Sequence, residues 1–226
     1  MAVIPARGGS KRIPNKNIKD FCQKPILEYA ITAAINTQLF SKIIVSTDSV
    51  EIAKFAQQLG AEVPFIRSPQ LSDDYSNTDQ VVQDVIIKLS QMGKNYEYIS
   101  CIYATTPFLE PLDIENGFAA LRANKSDFLL AVNRLRFPIE RTYQDSGNGT
   151  LRLSKPDAYL TRSQDLPVSY VDSGQFYWGT PKGWQEVNDL GIGDPTYIEL
   201  PWHKSIDLDT LQDWDMAERI FSAIHL

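Results

Sequence analysis

Arg7, Lys11, Arg12, Lys16, Lys19 and Lys24 crowd the first stretch of the sequence, offset only by Asp20, so this segment carries +5 in a chain whose net charge is −6. They surround Ala6-Arg7-Gly8-Gly9-Ser10-Lys11, where a short apolar run opens into a loop with paired glycines. Missing Cβ atoms let backbone N–H groups converge, and convergent N–H groups beside cations bind anions. A basic glycine loop in an acidic protein points to one specific anion and not to general polyanion binding. The loop lacks both G-x-x-x-x-G-K-[ST] and G-x-G-x-x-G, which argues against a P-loop and against a dinucleotide site of the dehydrogenase type. A solvated basic turn ahead of a helix at Pro25 is the competing reading.

A second chemical pattern lies near the other end. Ser205-Ile206-Asp207-Leu208-Asp209 alternates polar and apolar residues, so Asp207 and Asp209 share one side if the segment is extended. Two carboxylates on one side can hold a hard divalent cation, and Mg²⁺ takes one or two protein carboxylates plus water and phosphate oxygens. Asp209 and Gln212 fit equally well as the N-cap and N3 residues of a last helix, whose core face would be Leu211, Trp214, Ala217, Phe221 and Ile224. His203 and His225 are the only histidines, and Cys22 and Cys101 lack ligand spacing, so no zinc site is visible.

Several elements must position these groups. The spacing of Leu27, Ala30, Ile31, Ala34 and Ile35 predicts a helix over 25–40, and the run Ile43-Ile44-Val45 predicts a strand covered on both faces over 42–47. Asp48 with Glu51 forms a candidate capping box for a helix ending at Gly60, although its place at the carboxyl end of a strand also puts it near a site. Residues 61–67 read as a short strand interrupted by Pro64, and 68–77 as a polar loop. Loops of this kind carry binding groups, which makes Arg67 and Asn77 at its ends candidate nucleotide contacts. A helix carrying Val81, Val82, Val85, Ile86 and Leu89 should stop near Gly93. A buried strand over 98–103 then enters Ala104-Thr105-Thr106-Pro107, where hydroxyls and backbone groups can face a ligand. A helix over 112–123 and a strand over 127–133 follow.

Alternation at this spacing predicts an α/β fold with a doubly wound, mostly parallel sheet and ligands beyond the carboxyl ends of its strands. The glycine loop, the loop after Thr47 and the loop after Tyr103 would then meet on one edge. Between 134 and 172 the pattern breaks into scattered arginines and the turn residues Ser146-Gly147-Asn148-Gly149, which reads as a hairpin-bearing insertion. Strands resume at Gln175-Phe176-Tyr177-Trp178 and over 195–200.

With 226 residues, 43% of them hydrophobic, the chain can bury a full core, which predicts a single domain over 1–226 carrying the 134–172 insertion. Charges of mixed sign through most of the chain argue against nucleic acid as a partner. The absence of a leader pattern and of long apolar runs predicts no membrane association and a cytoplasmic location.

Ala-Arg-x-Gly-Ser-Lys followed by Lys-Asn, here Ala6-Arg7-Gly8-Gly9-Ser10-Lys11 and Lys16-Asn17, resembles the nucleotide-binding signature of the CMP-sialic acid synthetase family of sugar-activating cytidylyltransferases. The resemblance spans essentially the whole chain and implies a Rossmann-like fold of the nucleotide-diphospho-sugar transferase type. It implies CTP and a nine-carbon 2-keto sugar acid as partners, with attack of the anomeric hydroxyl on the α-phosphorus. Arg7, Lys11 and the loop N–H groups would hold phosphates, and Lys16 and Asn17 would support the nucleotide and the reacting end. Asp207 and Asp209 would carry Mg²⁺.

Tyr103 stands where sialic-acid members carry a Gln that contacts the sugar, and together with Arg162-Ser163-Gln164-Asp165 and Asp172-Ser173-Gly174-Gln175 this resembles the branch that uses pseudaminic acid. Tyr103, Thr105, Gln175 and Tyr177 would then face the sugar. Arg162 would lie near its carboxylate, with a purely structural arginine as the alternative. The family's habit of exchanging the insertion region between subunits implies a homodimer. N-acetylneuraminic, legionaminic or KDO specificity, and a non-catalytic nucleotide binder on the same fold, are the alternatives.

Overall fold

The computed structural model describes residues 1–73, 76–187 and 194–225. Strand β1 (Ala2–Pro5) and a short hairpin of β2 (Asp20–Phe21) and β3 (Lys24–Pro25) precede α1 (Ile26–Asn36). Then come β4 (Ile43–Ser46), α2 (Val50–Gln58), α3 (Thr78–Gln91), β5 (Ile99–Ile102), α4 (Pro111–Ala123) and β6 (Phe128–Arg134). The hairpin of β7 (Tyr143–Asp145) and β8 (Leu151–Leu153) leads to β9 (Tyr170–Gly179), α5 (Pro181–Glu186), β10 (Thr196–Glu199) and α6 (Leu211–His225).

Six strands form one sheet in the order β10-β6-β9-β5-β1-β4, with β4, β1 and β5 parallel and β10 parallel to β6. Only β9 runs against its neighbours, pairing antiparallel with both β5 and β6. The insertion explains this. A crossover helix returns a chain to the sheet in the same direction, whereas the excursion after β6 re-enters from the end at which it left. One face of the sheet packs Leu27, Ile31, Ile52, Ile114, Leu121, Phe176 and Trp178, and the other packs Val82, Val85, Leu89, Tyr177 and Trp184. A third cluster, Ile13, Phe21, Phe108, Leu208 and Trp214, lies around the small hairpin and α6.

Several expectations need correction. Helix α1 ends at Asn36 because Gln38 takes a left-handed φ of 54°, which the helix cannot continue through. Residues 61–67 form no strand; Glu62 makes one isolated bridge to Ile44, since Pro64 lacks the N–H a ladder needs. The cap of α2 is Ser49, whose Oγ accepts the Ile52 N–H, and not Asp48. At α6, Thr210 and Asp213 make the reciprocal capping bonds, so Asp209 and Gln212 do not. Leu211 and Ile224 are exposed, leaving Trp214 and Ala217 as the buried residues of that helix. Among the described residues no helix is long and apolar enough to cross a membrane.

Candidate active site

An open cleft of about 550 Å³ lies beyond the carboxyl ends of β1 and β5. Its walls carry five cations, Arg7, Lys11, Arg12, Lys16 and Arg67, against the carboxylates of Asp73 and Asp209. The lining also includes the uncharged residues Thr78, Val81, Tyr103, Ala104 and Thr105. The chain converges here because β1 ends at Pro5, α3 begins at Thr78 and β5 ends at Ile102, so three segments distant in sequence share one edge.

The basic loop is braced from behind. Asn17, nearly buried, donates from Nδ2 to the Arg7 carbonyl at 2.8 Å, and Arg7 Nη1 donates to the Asp73 carbonyl at 2.7 Å. Neither Gly8 nor Gly9 adopts a positive φ. Gly8 is favoured for another reason: a Cβ there would stand 3.1 Å from the Cβ of Ser49, a tight approach. Its N–H is also engaged, donating to Asp48 Oδ1 at 2.8 Å. The expected convergence of free N–H groups at both glycines is therefore reduced, and side-chain cations supply most of the positive field.

Lys16 is held by a 3₁₀ turn, Lys16–Ile18, that Asn15 enters with a left-handed φ of 53°. Its side chain is only 19% exposed and its Nζ lies 3.9 Å from Asp209 Oδ1. Burial pulls the lysine below its ordinary pKa; Asp209 and then Asp207 act in the opposite sense, while Arg12 and Arg7 add to the decrease. Arg12 Nη1 meets the other oxygen of Asp209 at 2.6 Å. Arg67 is 4% exposed, with its Nε donating to Ser72 Oγ at 3.2 Å. Burial lowers its pKa, and Asp48 offsets that more than any other charge.

Asp207 and Asp209 fit Mg²⁺ in chemistry. Ile206 and Leu208 pack into the third cluster, so the alternation leaves Asp207 exposed and Asp209 half-buried on the cleft wall. With Thr210 acting as the helix cap, the Asp209 carboxylate is left to the cleft, where Arg12 and Lys16 now balance it. Among the described residues no three His, Cys, Asp or Glu side chains gather as ligands. Two carboxylates match Mg²⁺, which completes its shell with water and phosphate oxygens.

The cleft brings together Arg7, Ser10, Lys11, Lys16, Asn17, Arg67, Tyr103, Thr105 and Asp209 from the sequence-based candidates. Other candidates lie off its walls. Ala6 is buried and donates its N–H to the Ser46 carbonyl, and Asn77 is spent on the capping box of α3. Arg162 lies on the surface of the insertion, its Nε 2.7 Å from Asp165 Oδ2. Gln175 and Tyr177 are buried: the Gln175 amide donates to the Ser173 and Gly174 carbonyls, and the Tyr177 hydroxyl donates to Asp172 at 2.8 Å. As a strand inside the sheet, β9 is covered on both faces over these residues, so neither side chain reaches the cleft in this chain. Tyr103 does reach it, its hydroxyl 2.9 Å from Thr78 Oγ1; burial first, then the neighbouring Cys101, raises its pKa.

Sequence reasoning missed Asp73, Ser76 and Thr78, which line the cleft where the polar loop enters α3. The available signal was the loop itself, a polar run leading to a helix N-terminus, where unpaired N–H groups favour anions.

A basic cleft at the strand ends of an α/β sheet is the architecture of a nucleotide-binding enzyme. A family model described as cytidylyltransferase matches residues 1–193. A pseudaminic acid cytidylyltransferase of Campylobacter jejuni is 37% identical over 225 residues, covering 100% of this chain and 97% of the relative. A CMP-N,N'-diacetyllegionaminic acid synthase of Legionella pneumophila is 34% identical over 229 residues, covering 97% of this chain and 95% of the relative. In fold, the chain is similar to a CMP:2-keto-3-deoxy-manno-octonic acid synthetase solved with CTP, at a TM-score of 0.70 and 16% identity over 100% of this chain and 98% of the other. The chain belongs to the cytidylyltransferase family.

Proposed function

We propose that this protein joins CTP to a nine-carbon 2-keto sugar acid, pseudaminic acid, giving the CMP-sugar and pyrophosphate. The observation that carries the reading is the cleft in which Arg7, Lys11, Arg12, Lys16 and Arg67 meet Asp209 beside the uncharged Thr78, Tyr103 and Thr105. An anionic sugar must approach an anionic triphosphate, so the protein's task is positioning and charge neutralisation. The anomeric oxygen forms a bond to the α-phosphorus, the bond from that phosphorus to the bridging oxygen breaks, and pyrophosphate leaves with the electron pair. The hydroxyl proton departs to solvent.

Arg7, Lys11 and Arg67 hold phosphate oxygens, and Lys16 neutralises charge at the reacting phosphoryl group. Asp207 and Asp209 would hold Mg²⁺, which would supply polarisation of the phosphoryl oxygens and favour ionisation of the attacking hydroxyl. Arg12 is paired with Asp209 and would turn to the triphosphate once Asp209 held a metal.

The name of the Campylobacter relative supports pseudaminic acid, and that of the Legionella relative favours N,N'-diacetyllegionaminic acid as the second reading. Pyrophosphate release from CTP with a panel of 2-keto sugar acids decides between them; kcat/KM should be highest for pseudaminic acid. A hydrophobic contact rejects an added hydroxyl only weakly, by about 10²-fold, so the preference over N-acetylneuraminic acid should be incomplete and Tyr103→Gln should narrow the gap. Equal or reversed efficiencies would remove pseudaminic acid and leave cytidylyl transfer standing.

The enzyme works as a cytoplasmic homodimer through residues 134–172. Supporting this, Phe137, Tyr143, Leu151, Tyr159, Leu160 and Val168 expose apolar side chains there, Leu160 to 91%. Large exposed apolar side chains are a feature of interfaces. A fully active monomer at micromolar concentration by light scattering would remove the dimer.

A further inference from the structure

Asp48 stands at the carboxyl end of β4, just before α2, yet its carboxylate is not spent on that helix, because Ser49 provides the cap. Oδ1 accepts the N–H of Gly8 at 2.8 Å. The approach is close: a Cβ at Gly8 would lie 3.1 Å from Ser49 Cβ and 3.8 Å from Asp48 Oδ1. The loop thus lies against the start of α2 and is held there by one charge-assisted hydrogen bond.

The same carboxylate acts on Arg67, where it is the largest favourable charge and Arg7 is the opposing one. The Arg67 backbone is fixed to the same place, its N–H donating to the Thr47 carbonyl at 2.8 Å. A buried guanidinium beside four other cations is costly without a counter-charge. Asp48 does not line the cleft, so it supports the cations without competing for their ligand.

We propose that Asp48 is a positioning residue for the nucleotide phosphates, fixing the Gly8 peptide and balancing Arg67 so that the loop and the arginine are set before the nucleotide arrives. This rests on the cytidylyltransferase reading for the identity of the ligand. A preset loop loses less freedom on binding, and affinity gains accordingly. Asp48 touches no reacting atom; its effect falls on nucleotide affinity before turnover.

The test compares Asp48→Asn and Asp48→Ala in the full chain, with CTP affinity by titration calorimetry, KM for each substrate and the thermal midpoint. The alanine variant should bind CTP about tenfold more weakly, since it loses both the hydrogen bond and the charge. The asparagine variant keeps an acceptor for Gly8 and should fall between, while KM for the sugar acid stays within about twofold of the original. If the alanine variant does not fold, the asparagine variant decides: weaker CTP binding at an unchanged thermal midpoint supports the role, and unchanged affinity overturns it. A parallel rise in both KM values also overturns it, because that is the mark of general loosening. CTP binding that neither substitution weakens overturns the role of Asp48 alone, whereas no CTP binding by the unsubstituted protein overturns it together with the cytidylyltransferase reading.

Discussion

The basic loop over residues 7–17 and the aromatic cluster beside it share Ile13 but are held by different forces. The loop is braced by polar contacts to Asp48, Asp73 and Asn17 and carries charges facing open space. In the cluster, Phe21 meets Tyr29, Phe108, Trp214 and Phe221 edge to face, with ring centroids 5.5 to 6.3 Å apart. Such contacts are short-ranged and depend on close fit, whereas charge contacts can exchange partners without repacking. Ile13 of the basic loop, Phe108 of the loop after β5 and Leu208 of the acidic segment are all rooted in this cluster. In the proposed mechanism, the groups that exchange partners are thus mounted on a closely packed part of the molecule.

The largest effect should come from the cluster. Phe21→Ala should destabilise the fold by about 3–5 kcal/mol, because it leaves a cavity among four rings. Urea denaturation measures this. Activity per folded molecule should also fall, since three cleft segments lose their common support. A loss of stability with normal activity in the folded fraction would break the proposed link between cluster and cleft.

Asp209→Ala sharpens the contrast from the other side. Turnover should drop by about 10²-fold or more, as for loss of a group that stabilises transition-state charge, while stability changes by less than about 1 kcal/mol because the lost ion pair is partly exposed. Thr210→Ala should do the reverse, costing about 0.5–2 kcal/mol as a lost N-cap and sparing most of the activity. Steady-state rates and urea midpoints on the two variants separate the roles of adjacent residues. Comparable rate losses in both would mean that Asp209 acts through the helix start.

The smallest effect concerns pH. Burial, followed by the charges of Cys22, Asp20, Glu28 and Glu218, pushes the Tyr29 hydroxyl from the usual 10 up to about 12. A group bound more tightly to its proton in the folded state adds stability that is complete below pH 10 and fades as pH rises through about 12. Tyr29→Phe should flatten that alkaline decline while losing the hydrogen bond to the Phe21 carbonyl, a change of about 0.5–1.5 kcal/mol near neutrality. Urea midpoints across the alkaline range check the slope.

Hydrophobic periodicity and local motifs determined much of this protein. The covered strands at Ile43-Ile44-Val45 and 98–103, the helices stopping at Gly60 and Gly93, and the hairpin inside the insertion all follow from patterns within a few residues of one another. Such features are legible because turn residues and apolar spacing act locally. The cations of the first loop and Asp209 were legible too, as clusters of unusual charge. Which strand face is free is not a local property. Gln175 and Tyr177 occupy the right stretch for a ligand, but β9 enters between β5 and β6 and both faces are covered. Capping was ambiguous for the same reason: Asp48 and Ser49, like Asp209 and Thr210, are adjacent residues of nearly equal capping propensity. Tertiary contacts decided between them, with Gly8 engaging Asp48 and with Arg12 and Lys16 engaging Asp209, so that each helix start fell to the hydroxyl beside it.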